Sequence, residues 1–281
     1  MVMLNLDLKP EDFTIPPHDN MEDFHGDLNN PDIVIFLNGN QWMIMKELLA
    51  AFQQEHPEIK NIFYETIPPG ILLKQIRHGA LKVGELVISV PPDIYTAGRE
   101  EMDSLLNDGF IKEYVPYAKN HLAIMVPEGN PKEITGWRDL GRPGIRVVMP
   151  NPVTEGVGRL ALKAMEKAEG RELVETVMGE KLTDGETFLT HIHHRQTLLL
   201  LMDGTADAGP VWISEALYQK RIGSPLDYVP IPEGQNQSGT YFIAIVEKTV
   251  QHRVAAEAFL DFMRSRQAQD IYAGYGFSSA N

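Results

Sequence analysis

The sequence predicts an α/β fold with a parallel sheet, and two observations carry this prediction. Short runs rich in β-branched and aromatic residues alternate with stretches whose apolar residues recur at helical spacing. Small turns containing glycine, proline or asparagine separate these runs from the helices that follow. Because successive strand–helix–strand units form parallel sheets with right-handed crossovers, a ligand is expected at the carboxyl ends of the strands.

In the first half of the chain, regular structure is expected after a polar, acidic and proline-containing N-terminal extension, residues 1–31. Asn40 stands at the N-cap position of a helix whose apolar face includes Trp42 and Met45. Residues 93–108 are predicted as a surface helix and loop. The predicted strands of this half are residues 32–37, 62–66 and 86–90, and a second helix spans residues 71–77.

The second half continues the alternation of strands and helices. Prolines within residues 228–232 indicate a strand near a sheet edge, since proline cannot donate to a central ladder. The last helix, residues 254–264, is amphipathic. Further strands are predicted at residues 122–126, 146–149, 206–212 and 239–246, and further helices at residues 157–168 and 173–188 and after the basic cluster at 191–195.

Composition argues against several classes of function. The formal net charge of −14 argues against a nucleic-acid partner, because such binding depends on Lys and Arg contacts to phosphate. The chain has no cysteine, which excludes disulfides, thiolate metal sites and thiol nucleophiles. No apolar run approaches the roughly 20 residues of a membrane helix. Residues 1–17 lack the basic region and apolar core of a signal peptide, so we expect either an intracellular protein or one whose signal was removed.

A basic cluster precedes one predicted helix. His191, His193, His194 and Arg195 are followed by an apolar run and a short buried strand that ends at Trp212. The N-terminus of a helix offers unpaired N–H groups and a partial positive charge, and arginine or histidine beside it strengthens an anion site. Alternatively, the histidines cap the helix and Arg195 pairs with a neighbouring acid.

The same kind of junction, in which a strand passes through a small polar turn into a helix, recurs along the chain. Any α/β protein contains such turns, but their repetition predicts a cleft lined by helix N-termini. The junctions are residues 38–40, 69–70, 154–156 and 193–195.

A metal site is an alternative hypothesis for the basic cluster. His191, His193, His194 and Glu155 supply ligand types that suit zinc, nickel or copper. The H-x-H-H spacing is not that of a structural zinc site.

Catalysis is a further alternative. Ser89, His193 and Asp207 supply the residue types of a Ser/His/Asp triad, but nothing in the sequence brings them together. No nucleophile elbow, phosphate loop or dinucleotide fingerprint is present. We therefore predict a binding protein without cofactor rather than an enzyme.

Several motifs resemble those of the extracytoplasmic solute-binding proteins of ABC transporters, specifically the molybdate/tungstate-binding type. The C-terminal helix, its Gln-Ala pair and a final Gly-Tyr-Gly-Phe provide the clearest similarity, and the resemblance runs from residue 32 to residue 277. The motifs are residues 74–76 with Gly79, 85–89, 147–152, 258–262, 267–272 and 274–277.

The resemblance implies a two-lobe periplasmic-binding-protein-like (type 2) fold with a ligand cleft between the lobes. Lobe one would comprise residues 32–121 and 241–281, and lobe two residues 122–240. The implied function is capture of an oxyanion such as molybdate or tungstate for ABC-type uptake, by a monomer that delivers it to permease subunits. A periplasmic or other extracytoplasmic location is implied, while a cytoplasmic location stays open.

Carried over residue by residue, the resemblance also implies a ligand site. This sequence departs from the family pattern, because it has no serine at the lobe-one positions and has tryptophan in place of a binding tyrosine. The binding backbone N–H after the late helix start falls on His194. The candidate residues, together with those of the basic cluster, are Asn40, Gly70, Thr154, Glu155, His193, His194, Arg195 and Trp212.

Overall fold

The computed structural model describes residues 23–83, 86–191 and 195–280, which fold as two compact α/β units. Unit 1 contains the described residues up to Ala118, together with Tyr241–Tyr272 and Ala280. Unit 2 contains the described part of Lys119–Thr240, together with Ala273–Ser279. Within the described part of the chain, no helix is both long enough and apolar enough to cross a membrane.

The elements alternate along the chain in the manner of an α/β protein. The strands are β1 (Phe24–His25), β2 (Ile33–Phe36), β3 (Ile62–Glu65), β4 (Leu81–Val83), β5 (Leu86–Ile88), β6 (Ile94–Ala97), β7 (Val115–Pro127), β8 (Val147–Met149), β9 (Thr187–Leu189), β10 (Gly209–Trp212), β11 (Leu226–Pro230), β12 (Ser238–Ile245) and β13 (Ser278–Ser279). The α-helices are α1 (Met45–Glu55), α2 (Pro69–His78), α3 (Arg99–Asn107), α4 (Gly156–Glu169), α5 (Arg171–Glu175), α6 (Lys181–Thr183), α7 (Arg195–Met202), α8 (Ile213–Arg221), α9 (Arg253–Met263) and α10 (Arg266–Gly274). Short 3₁₀ helices span Gly39–Ile44, Trp137–Gly141 and Glu233–Gln235, and a π-helical turn spans Thr176–Glu180.

The sheet of unit 1 has the order β1-β3-β2-β6-β12. Strands β3 and β6 run parallel to β2, whereas β1 and β12 pair antiparallel at the two ends of this order. Every residue of β2 is buried, as expected for a parallel strand covered on both faces. Leu72 and Ile76 of α2 pack into the hydrophobic core of this unit. Helix α1 contacts α9 through an edge-to-face contact of Phe52 with Phe259, with the ring centres 5.1 Å apart.

The buried Asp93 joins the start of β6 to distant parts of unit 1. Its carboxylate accepts hydrogen bonds from the backbone N–H groups of Val34 (2.8 Å), Gln251 (2.7 Å) and His252 (2.9 Å). The His252 ring lies 2.9 Å away through Nδ1. Because a buried carboxylate is stable only when it is hydrogen-bonded, this residue fixes the segment before α9 against β2.

In unit 2, β7 runs antiparallel to both β10 and β11. The side chain of Asn236 completes this sheet by bonding both backbone groups of Leu122, at 3.1 Å to its N–H and 2.9 Å to its carbonyl. Strands β8 and β9 pair in parallel, and a bridge between Val147 and Ala208 continues β8 towards β10.

A segment near the end of the chain, Ala273–Ser279, belongs to unit 2 rather than to unit 1. β13 pairs with β7, the Arg221 guanidinium donates to the carbonyl of Gly274, and the same group lies 4.5 Å from the centre of the Tyr275 ring. These contacts place Ala273–Ser279 in unit 2, whereas the sequence-based division assigned the whole of 241–281 to the first lobe. Strand β1 lies within the stretch that was set aside as an N-terminal extension, because it pairs with β3.

Three local predictions are wrong. Residues 86–90 do not supply the third parallel strand, because β5 pairs antiparallel with β4 in a separate hairpin. The parallel neighbour of β2 is β6, which falls at the start of 93–108, where no strand was predicted; the helix predicted in that stretch is confirmed as α3. Residues 173–188 do not form one helix, because a π-helical turn interrupts it and β9 follows.

Candidate functional site

The loop after β2 in unit 1 is held by a buried polar network. Asn38 accepts from the hydroxyl of Thr96 at 2.8 Å, and its own N–H donates to that hydroxyl at 3.1 Å. Asn40 is 2% exposed and donates from Nδ2 to the hydroxyl of Tyr241 at 2.7 Å. The prediction of Asn40 as N-cap of a helix is wrong, since it lies inside the 3₁₀ helix that begins at Gly39, and its amide is directed to Tyr241 instead.

Gln41 extends this network to two tyrosines. It donates from Nε2 to the hydroxyl of Tyr117 at 2.6 Å and accepts from the hydroxyl of Tyr272 at 2.5 Å. Burial raises the pKa of both tyrosines above the ordinary value, so both phenols stay protonated near neutral pH. The network therefore carries no net charge and presents amide and hydroxyl dipoles.

The loop after β3 leads through two prolines into α2. Pro68 is the N-cap residue and Pro69 the first helical residue, which suits a position whose N–H would lack an intrahelical partner. The hydroxyl of Tyr95 donates to the carbonyl of Pro69 at 2.8 Å. Gly70 is partly buried in the first turn of α2. A helix N-terminus without charged side chains therefore follows the carboxyl end of β3.

The loop between β8 and α4 in unit 2 is organised by Glu155, which is 3% exposed. Its Oε1 accepts from the backbone N–H of Asn151 at 3.2 Å and from the hydroxyl of Thr190. That hydroxyl accepts in turn from the N–H of Asn151 at 2.9 Å. Thr154, by contrast, is exposed. The carboxylate thus acts within the loop, while Thr154 is the neighbour that faces solvent.

The basic cluster is described only in part. His193 and His194 lie outside the described residues, and α7 begins at Arg195, which is 8% exposed. His191 is exposed, and its backbone N–H donates to Oε1 of Gln196 at 2.5 Å. Thr190 is therefore bonded to the loop before α4, and His191 is bonded to Gln196 of α7.

Trp212 closes the end of β10 and packs inside unit 2. A Cβ atom added at Gly239 would lie 2.7 Å from Cη2 of the indole and 3.3 Å from a methyl group of Leu160, so only glycine fits beneath the ring. The backbone N–H of Trp212 donates to the carboxylate of Glu215 at 3.4 Å. The ring is buried at 6% exposure, which makes it a wall of unit 2 more than a polar contact.

The hypothetical triad is described only in part, because His193 lies outside the described residues. Asp207 binds Arg146 through two side-chain contacts of 2.9 and 3.2 Å and accepts from its backbone N–H at 2.8 Å. Burial raises the pKa of Asp207, but the hydrogen bonds from Arg146 outweigh it and hold the pKa below the ordinary value. Asp207 therefore serves an ion pair within unit 2, and Ser89 is exposed in unit 1.

The metal hypothesis receives no support. Among the described residues, no group of three or more His, Asp or Glu side chains could hold a metal ion. Glu155, one of the suggested ligands, directs its Oε1 to Asn151 and Thr190.

Thr190, Asn151 and Tyr241 are the organising residues that the sequence did not single out. Thr190 was missed because β9, which it follows, was predicted as part of a helix. Asn151 lies between two prolines, a pattern that indicates a rigid turn and could have drawn attention to it. Tyr241 lies 201 positions from Asn40, and no local pattern reveals a pair that far apart.

Comparison with known proteins extends over most of the chain. The chain is 25% identical over 248 residues to the molybdate-binding protein ModA of Mycobacterium bovis, covering 88% of this chain and 84% of that protein. It is 29% identical over 181 residues to a sulfate-binding protein of Synechococcus elongatus, covering 62% of this chain and 49% of that protein. In structure it is similar to the sulfate-binding protein SubI of Mycobacterium tuberculosis, with a TM-score of 0.75, 23% identity and coverage of 89% and 87%.

The two α/β units and this structural similarity define the class of protein, which has the type 2 periplasmic-binding-protein fold. Residues 33–278 match the bacterial extracellular solute-binding proteins, and the chain belongs to that family. The resemblance seen in the strand and C-terminal motifs is thereby confirmed. The relatives are named as binding proteins rather than as enzymes.

Proposed function

We propose that the protein captures a small tetrahedral oxyanion, such as molybdate, tungstate or sulfate, for uptake by an ABC transporter. The observation that carries this proposal is the match over 88% of the chain to a protein named for binding molybdate. The sulfate-binding relatives support the same chemical class, since sulfate and molybdate are both tetrahedral dianions. Permease subunits of the transporter are the proposed partners, and the family description supports a location outside the cytoplasm.

The loops of each unit support anion binding by local polarity rather than by net charge. The chain carries a net charge of −14, so attraction of a dianion must come from nearby dipoles and cations. In unit 1 the loops at Asn40 and Gly70 present neutral dipoles and a helix N-terminus. In unit 2 we propose that Thr154 and Arg195 supply a hydroxyl and a guanidinium to the anion.

Two candidate residues are proposed in supporting roles. Glu155 would repel a dianion if its carboxylate faced it, so we propose that it acts by holding the loop that carries Thr154. Trp212 would supply an apolar wall.

The two histidines are proposed as direct contacts. His194 would contribute its backbone N–H, and His193 its side chain.

The proposal is tested by a thermal-shift screen combined with titration calorimetry and elemental analysis of the purified protein. Molybdate, tungstate or sulfate should raise the melting temperature, because a ligand stabilises the folded state in proportion to ln(1 + [L]/Kd). Chloride, zinc and nickel serve as controls. A response to zinc or nickel with none to any oxyanion would contradict the proposal.

The pH dependence of affinity tests the part assigned to the histidines. An ordinary histidine titrates near pH ~6.5. If the His193 side chain contacts the anion, affinity should rise as the pH falls through that region. If affinity does not change around pH ~6.5, the His193 side chain does not contact the anion, and backbone N–H groups make the contact instead.

A further inference from the structure

Glu65, the last residue of β3, places a carboxyl group inside unit 1. The residue is 0% exposed, and Gln75 of α2, itself 2% exposed, donates from Nε2 to its Oε1 at 2.9 Å. The other carboxyl oxygen of Glu65 and the amide carbonyl oxygen of Gln75 are both buried, and neither has a hydrogen-bond partner among the described residues. Both are acceptors, and an unsatisfied buried acceptor is costly.

One proton satisfies both atoms. A hydrogen on Oε2 of Glu65 would turn that oxygen into a donor, and the amide that already bonds Oε1 carries an unsatisfied acceptor, the carbonyl oxygen of Gln75. The result is a cyclic acid–amide pair, in which Gln75 donates to Oε1 and Glu65 donates from Oε2. No further donor is required.

The surroundings favour this neutral form. α2 contributes the uncharged Gln75, and β2 contributes only apolar side chains. The carboxyl group of Asp23, buried just before β1, acts electrostatically on Glu65. The pKa of Glu65 is raised to about 8: burial is the main cause, the hydrogen bond from Gln75 opposes the rise, and the interaction with Asp23 adds to it.

Glu65 also lies beside both candidate loops of unit 1. Its carbonyl accepts from the N–H of Leu37 at 2.8 Å, which fixes the start of the loop that carries Asn40. The next carbonyl, of Thr66, would lie 3.1 Å from a Cβ atom added at Gly39. The first residue of α2, Pro69, follows Glu65 in the same segment.

We propose that Glu65 is protonated at neutral pH and pairs with Gln75, which holds α2 against β3 and keeps a negative charge away from the candidate anion-binding loops of unit 1. The effect on the anion rests on the proposed function, whereas the neutral pair does not. Glu65 is a positioning residue, since it acts through the loops and not by contact with the ligand.

The neutral pair is tested without any ligand by isotope-edited infrared spectroscopy on protein labelled at the glutamate carboxyl carbons. At about pH 7 the wild type should show the carbonyl band of a protonated carboxyl group, and this band should vanish as the pH rises well above about 8. The band should be missing from Glu65→Gln. The control Glu58→Gln makes the same substitution at an exposed position of unit 1 and should keep the band. A wild type without the band at about pH 7 would overturn the proposal.

Oxyanion affinity tests whether the neutral state of Glu65 keeps a negative charge away from the candidate loops of unit 1. Titration with sulfate and with molybdate at about pH 7 and about pH 9.5 should show wild-type affinity falling at least about threefold at the higher pH, because a new buried charge repels a dianion. Glu65→Gln should lose less affinity than the wild type at the higher pH, and Glu58→Gln should lose as much as the wild type. Equal pH dependence in wild type and Glu65→Gln would overturn the charge effect. If neither the wild type nor the two variants bind either oxyanion at about pH 7, the proposed function fails. The infrared result still shows whether Glu65 and Gln75 form the neutral pair.

Discussion

Replacing Thr190 by valine tests whether its hydroxyl holds the loop before α4. Valine has nearly the same shape, so the change removes hydrogen bonds without opening a cavity. The hydroxyl donates to the carboxylate of Glu155 and accepts from the N–H of Asn151 at 2.9 Å. Loss of the bond from the Asn151 N–H costs less, because that N–H still has the Glu155 carboxylate as an acceptor at 3.2 Å.

The charge-assisted bond to Glu155 therefore sets the magnitude. Such bonds contribute about 1.5–3 kcal/mol, so we expect Thr190→Val to lower the free energy of unfolding by about 2–3 kcal/mol in urea titrations. Oxyanion affinity should fall as well, because the loop that carries Thr154 loses an anchor. Thr190→Ser, which keeps the hydroxyl, should restore most of both.

Thr187, the first residue of the β9 strand that precedes Thr190, provides a matched control. It is 2% exposed, and its hydroxyl has no hydrogen-bond partner among the described residues. Thr187→Val should leave stability unchanged or raise it by up to ~1 kcal/mol, because it removes an unsatisfied polar atom. Equal losses in Thr187→Val and Thr190→Val would refute the reasoning, since the hydrogen bonds would then not account for the effect.

Further predictions concern three charged residues. Asp93→Ala should lower the free energy of unfolding in urea by about 3–5 kcal/mol, because it removes the acceptor from the buried N–H of Val34 and from the N–H groups of Gln251 and His252; a loss below ~1 kcal/mol would count against this role. The pKa of Asp207 is lowered by Arg146, so its contribution to stability is present at neutral pH and is lost as the pH falls through that lowered value. Denaturant titrations from neutral pH to about pH 3 should show this loss in the wild type and a weaker one in Asp207→Asn. Arg195→Ala should weaken oxyanion binding by about 1.5–3 kcal/mol in calorimetry; unchanged affinity with a lower melting temperature would assign Arg195 to the fold.

The sequence predicts the elements whose apolar pattern is long or strongly β-branched. β2, β3, the long β12 and α9 all lie where hydrophobic periodicity places them. The parallel pairing of β2 with β3 follows from the helical segment between them, because a crossover is the usual connection of parallel strands. The family could also be predicted from the sequence, since its C-terminal motifs can be read directly from the chain.

The pairing of short strands could not be predicted from the sequence. Residues 86–90 and Ile94–Ala97 are apolar runs of similar length, and nothing local decides which one joins the parallel sheet. The outcome depends on pairing with β2, which is a long-range contact. The same limit applies to β9, whose partner β8 lies far away in sequence.

In the candidate loops, residue types could be predicted but not their hydrogen-bond partners. Asn40 looked like a helix cap because of its position, yet its amide bonds Tyr241. Glu155 looked like a ligand residue, yet its Oε1 accepts from Thr190 and Asn151. In each case the partner comes from another part of the chain, and one sequence carries no signal for such pairs.

The discontinuous construction of unit 1 sets an order of events during synthesis on the ribosome. β6 reaches its partner β12 only after residues 242–245 have been made, and Asp93 must wait for Gln251 and His252. Until then β6 is an open edge strand, which invites pairing with other chains. The continuous Lys119–Thr240 segment emerges in between and can collapse earlier, although β13 joins it last. Nascent chains halted before residue 242 should therefore depend on chaperones more than chains halted after His252.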